Sequence, residues 1–142
     1  RNMTEILPLE KKAALIHDCK NKMDKLWNVY TMDLLKSITA TERLYHHQIV
    51  PHQRGHLMIN FFGKIGLDIT RSESFGKIRL DYRLTSEAFS DIAIAPAHID
   101  SEGMLDASVP LACREDVFSH YLKKIEPIYD RMLTLSLGDA RA

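Results

Sequence analysis

Four histidines, His46, His47, His52 and His56, crowd into one short stretch of the chain. Imidazoles four residues apart, as His52 and His56 are, would share one face of a helix and could grip a metal ion. Such sites usually add a carboxylate, and none lies between Glu42 and Asp68. Pro51 and Gly55 also oppose a continuous helix there. The plainer reading is a His-rich loop or the start of a strand, with a pH-responsive surface as its functional variant, because imidazole titrates near neutrality. His52 and His56 are the candidate metal pair, and no cofactor is expected.

The same stretch opens a basic segment. Arg43 to Leu84 holds seven Lys/Arg against three Asp/Glu, whereas Thr85 to Ala142 holds five against ten, within a chain of zero net charge. Arg43, Arg54, Lys64, Lys77, Arg79 and Arg83 are the candidate anion-binding or nucleic-acid-binding residues. Lys77, Arg79 and Arg83 alternate along one strand face and could meet phosphates. Tyr45, Phe61, Phe62 and Phe75 could supply stacking surfaces. A pI near 7.2 falls short of the strongly basic footprint of most nucleic-acid binders, and no helix-turn-helix, RNP or KH pattern is present.

Catalytic patterns are missing from the sequence. It has no G-x-S-x-G, no P-loop and no G-x-G-x-x-G, and Asp81, Asp91, Asp100 and Asp106 have no partner fixed by spacing. Cys19 and Cys113 form neither a CxxC nor a Cys/His cluster, so they read as two reduced thiols in a reducing compartment. No apolar run approaches the ~20 residues needed to span a bilayer. Arg1 to Glu5 lack the apolar core of a signal peptide. Together these point to a soluble, cytoplasmic protein with no enzymatic activity and no membrane partner.

The elements that must position these residues follow from periodicity. Ile16, Cys19, Met23, Leu26, Trp27, Tyr30, Leu34 and Ile38 recur at three- and four-residue steps. That spacing predicts an amphipathic helix of ~30 residues, or two shorter ones broken near Thr31. Pro8 suits its first helical position. Thr39 to Glu42 fits a capping box for a second short helix running to about Gln48. The period then changes to two. Leu57 to Ile69 reads as two strands or one bulged strand, Ile78 to Leu84 as a clean strand after a loop at Arg71 to Gly76, and Ile92 to Ala95 as a short strand closed by Pro96. Leu105 to Leu111 makes a last strand, with Pro110 favouring an edge. Beyond Cys113 the helical period returns from Val117 to Leu133, and Pro127 should kink or divide that helix.

The expected architecture is a single α+β domain over residues 1–142, with frayed tails at 1–8 and 137–142. It has a long N-terminal helix or helical hairpin, a four- to five-stranded antiparallel meander, and a C-terminal helix. Met23, Trp27, Tyr30 and Leu34 are the candidate interface residues, since large apolar anchors favour contact surfaces. A helix this long outreaches strands of ~20 Å and leaves apolar surface for a second copy.

The run Met104 to Ala112 followed by Val117 to Leu133 resembles the last strand and helix of type III secretion chaperones and related small adaptor folds. The resemblance implies an adaptor-like role. The leading expectation is therefore a non-enzymatic binding, regulatory or adaptor module working through protein–protein contact as a homodimer. A nucleic-acid-binding regulator and a small-ligand sensor are the alternatives.

Overall fold

The computed structural model describes residues 2–49, 54–72 and 75–138. An α-helix, α1, runs unbroken over Asn2–Ala40. Seven strands follow: β1 (His46–Ile49), β2 (His56–Phe61), β3 (Ile65–Ser72), β4 (Lys77–Leu84), β5 (Ala97–Asp100), β6 (Met104–Leu105) and β7 (Val109–Pro110). A second helix, α2, spans Arg114–Leu137. The strands pair strictly in chain order, β1 to β7, and every pair is antiparallel. The fold is thus α+β, as expected.

Alternation seats the sheet. Leu57, Ile59 and Phe61 on β2, Ile65, Leu67 and Ile69 on β3, and Ile78, Leu80, Tyr82 and Leu84 on β4 all point to one face and are buried. Successive strand side chains alternate between faces, so the residues between them face outward. Both helices cover the apolar face. α1 contributes Met23, Trp27, Tyr30, Leu34 and Ile38 to the core, and α2 contributes Val117, Tyr121, Ile125 and Ile128. Each such aliphatic or aromatic contributes about 1.5–3 kcal/mol by leaving water. Inside this layer the Tyr30 and Tyr82 hydroxyls hydrogen-bond to each other at 2.9 Å.

Several expectations are corrected. The sheet has seven strands rather than four or five. The segment read as a short helix to Gln48 is instead a 3-10 turn at Glu42–Leu44 followed by β1. The capping box does not form, because its would-be N-cap Thr39 lies inside α1, and Thr41, which does precede the turn, donates its hydroxyl back to the Ser37 carbonyl at 2.7 Å. Tyr45, in the left-handed region at φ 52, then turns the chain so that His46–Ile49 pairs with Met58–Phe61.

The strand read at Ile92 to Ala95 is irregular chain, and β5 begins beyond Pro96. The single last strand is really β6 and β7, joined through a turn in which Asp106 and Ala107 both take positive φ. Pro110 does lie in the terminal strand of the sheet. Three helix expectations also change. Pro8 lies inside α1 rather than at its start. α1 does not break at Thr31, whose hydroxyl donates to the Asn28 carbonyl. Nor does Pro127 divide α2. Pro127 is solvent-exposed, so the carbonyl it leaves without an N–H partner can turn to water.

Candidate functional site

The feature most open to a partner is the first half of α1. Every residue from Ile6 to Lys22 is exposed, and burial starts abruptly at Met23. Ile6, Leu7, Leu9, Leu15 and Ile16 are all large apolar side chains left in solvent. Ile6, Leu9, Ala13 and Ile16 follow the three-four-three spacing of a coiled-coil seam. This seam continues the stripe that Met23, Trp27, Tyr30 and Leu34 present to the core. Those four candidate interface residues lie inside the chain's own core. The free apolar surface is therefore upstream of them, on the arm of α1 in which every residue from Ile6 to Lys22 is exposed.

A cleft of about 550 Å³ opens where this arm leaves the body, lined by Lys20, Asp24, Trp27, Asn28, Arg54, Gly55 and Arg71. Gly55, at φ +78, makes the turn into β2, and its carbonyl accepts the Arg71 N–H at 2.9 Å. Arg71 continues the inward row of Ile65, Leu67 and Ile69, so it reaches under α1. Its Nη1 lies 2.7 Å from Asp24 Oδ1.

The candidate basic residues do not form one patch. Lys77, Arg79 and Arg83 share the outward face of β4, as their spacing predicts, but acids are interleaved with them. Asp68 pairs across from Arg83 and Asp100 across from Lys77, and Arg79 Nε donates to Asp81 at 3.0 Å. Arg54 stands before β2 at one end of the sheet. Arg43 and Lys64 stand at the other, where β1 begins and β2 turns into β3.

At that far end Tyr45 and Phe62 form an exposed aromatic shelf that spacing did not reveal as a pair. Their rings stack with centroids 5.4 Å apart, and they are 65% and 44% exposed. Both have positive φ, a strained choice for bulky residues. The Phe62 N–H donates to the Tyr45 carbonyl at 2.7 Å and locks the two turns together. Phe61 lies in the core, and Phe75 is exposed in the loop between β3 and β4.

The histidines separate. β1 points His46 into the core and His47 outward. The Thr41 hydroxyl donates its hydrogen bond to the Ser37 carbonyl, so its oxygen accepts from His46 Nε2 at 2.9 Å; His46 Nδ1 then accepts from the Tyr121 hydroxyl at 3.0 Å. This is a neutral imidazole. Burial first, and the charge of His47 second, push its pKa down to about 4 against a hydrogen bond to Thr41 that works the other way. His56 pairs with Asp68 on the outward face at 3.1 Å. His52 lies outside the described residues. Among the described residues, no three His, Cys, Asp or Glu side chains gather as a metal site. Cys19 and Cys113 are free thiols.

A second imidazole–carboxylate pair was not legible in the spacing. His120 Nε2 lies 2.8 Å from Asp106 Oδ2, while Asp106 Oδ1 accepts the His98 N–H at 2.9 Å. Burial would raise the Asp106 pKa, but these bonds from His120 and His98 outweigh it and hold the carboxyl below its usual range. The pair ties α2 to the β6–β7 turn.

The fold is thus a long helix with an exposed apolar arm and a second helix, both packed on a seven-stranded antiparallel meander. Comparison with known proteins is more specific. Residues 4–139 match the family described as transcriptional repressors of the hyc and hyp operons, and the chain belongs to that family. The formate hydrogenlyase regulatory proteins HycA of Escherichia coli (strain K12) and of Shigella flexneri are each 27% identical to it over 130 residues. That alignment covers 91% of this chain and 85% of theirs. No solved structure matches it significantly. The role is regulatory, and this family takes the place of the likeness to type III secretion chaperones. No described helix is long and apolar enough to cross a membrane.

Proposed function

We propose that the chain lowers transcription through protein–protein contact, as a homodimer whose two copies join along the arms of α1. The arm carries this reading. Its run of exposed residues holds Ile6, Leu9 and Ile16 at coiled-coil spacing, and an isolated helix of such length is marginal in water. A second copy supplies the missing hydrophobic face, and two-fold pairing is the commonest closed symmetry. The interleaved acids on the outer sheet face favour this over reading a nucleic-acid groove.

Sedimentation of the full chain and of the triple variant Ile6→Glu, Leu9→Glu, Ile16→Glu tests it. The parent should sediment as a dimer and the variant as a monomer that melts like an intact fold. The variant should also lose repression of a reporter for the promoters it controls. A parent that stays monomeric across concentration, or a monomeric variant that represses fully, would overturn the reading.

One observation favours a second reading, contact with single-stranded nucleic acid. The Tyr45–Phe62 shelf lies at the same end of the sheet as Arg43 and Lys64, an arrangement of stacking rings beside cations. On that reading, retention on a nucleic-acid column at low salt should fall steeply as salt rises and be lost in Tyr45→Ala. No retention at low salt would end it.

A further inference from the structure

We infer that the cleft at the root of the α1 arm is a binding site for a small phosphorylated anion. The argument starts from Arg71. Its place on β3 belongs to the inward row, where Ile65, Leu67 and Ile69 precede it, so an aliphatic side chain would satisfy the sheet there. The chain places a guanidinium instead, only 13% exposed. A guanidinium carries five N–H donors. Here Nη1 faces Asp24, while Nε is buried with no hydrogen-bond partner among the described residues.

The charge around the cleft is unbalanced. Among the described residues, Lys20, Arg54 and Arg71 surround one carboxylate, that of Asp24, which is itself within 3.9 Å of Lys20. A concave wall with surplus positive charge focuses anions. Two guanidinium groups and one ammonium suit the several acceptor oxygens of a phosphate, which guanidinium can engage through paired N–H bonds. The volume of about 550 Å³ falls in the usual range for a small-molecule site. Trp27 forms an apolar wall, and Asn28 adds a side-chain amide.

The location gives the site its interest. Lys20 and Asp24 flank the point where α1 passes from exposed to buried, while Arg54 and Arg71 belong to the adjacent end of the sheet. An anion held among them braces the arm against the body. The site stands whether or not the arm makes a dimer.

Trp27 is the chain's single tryptophan, so its fluorescence reports on this cleft alone. Titration of the full chain with inorganic pyrophosphate, at ionic strength held constant with sodium chloride, should give a saturable change in emission. Lys20→Ala and Arg54→Ala remove exposed side chains outside the core. Each should leave the unliganded melting temperature unchanged and weaken pyrophosphate at least tenfold. Arg71→Lys, which keeps the charge but loses the fork, should weaken it similarly. Arg43→Ala, at the far end of the sheet, should leave it unaltered. A parent with no saturable change, or Lys20→Ala and Arg54→Ala variants that bind as the parent does, would overturn the assignment. Failure of the arm to dimerise would not touch it.

Discussion

From Met23 to Ile38, α1 turns five large apolar side chains into the core, whereas from Ile6 to Lys22 the same helix leaves its aliphatics in water. The two halves share a three-and-four spacing, though the exposed half carries four lysines, Lys11, Lys12, Lys20 and Lys22, against two, Lys25 and Lys36. They differ above all in what lies beneath them: the sheet reaches the second half and stops at Arg54 and Arg71. An amphipathic stripe therefore records that a helix needs cover without recording whose surface provides it. In the second half the cover is intramolecular. In the first half the stripe is left exposed, and the proposed second copy would supply the cover.

Substitutions can break or sharpen this contrast. Leu34→Ala, in the covered half, should cost about 3–5 kcal/mol, because a fully buried leucine leaves a cavity; urea titration of the variant measures it. A loss below 1 kcal/mol would mean that this half is not the core.

Acid should find the end of the covered half. His46 is held neutral when folded, with its pKa near 4 against 6.5 when unfolded. The unfolded chain therefore takes up the proton first as pH falls. Stability is fully present above pH 6.5, declines between 6.5 and about 4, and levels off below. The loss attributable to His46 is up to roughly 3 kcal/mol, and His46→Gln should flatten that part of the pH–stability curve.

Tyr30→Phe removes one partner of the buried Tyr30–Tyr82 bond and should cost about 1–2 kcal/mol, since the Tyr82 hydroxyl is left dry and unpaired. The double variant Tyr30→Phe, Tyr82→Phe should recover part of that loss. The smallest effect belongs to the arm. Ile16→Ala should change the unfolding free energy of the dissociated chain by no more than about 0.5 kcal/mol, while weakening self-association in sedimentation. A large destabilisation of the dissociated chain would show that Ile16 packs on its own body, and the contrast between halves would fail.

The strands that sequence made legible are those with long, clean alternation. β4 reads directly from Ile78, Leu80, Tyr82 and Leu84 between charged residues, and β2 and β3 from Leu57 to Ile69. β1 was hidden because His46, His47 and Gln48 carry no aliphatic alternation, and the preceding threonines mimic a helix cap. β6 and β7 are two residues each, too short to show any period. β5 was misplaced because Ile92 and Ile94 alternate like a strand, yet they only half-bury in irregular chain beside it.

The site was legible in its ingredients and not in its grouping. Arg43, Arg54 and Lys64 look like one basic segment along the chain, but the β2 hairpin carries them to opposite ends of the sheet. Arg71 opens what the sequence presents as a loop, and only the register of β3 turns it inward beneath α1. The Tyr45–Phe62 stack depends on two left-handed backbone positions that no local pattern announces.

The arm also has a mechanical meaning. An α-helix is stiff over this length, and at 1.5 Å per residue Ile6 stands about 25 Å beyond Met23. A rotation of roughly 10° where α1 leaves the body therefore sweeps the tip through about 4 Å, close to one strand spacing. The ion pair of Arg71 with Asp24 sits at that fulcrum. A local rearrangement of two side chains there is geared up, by leverage alone, into a displacement large enough to put an apolar seam in or out of register with whatever it meets.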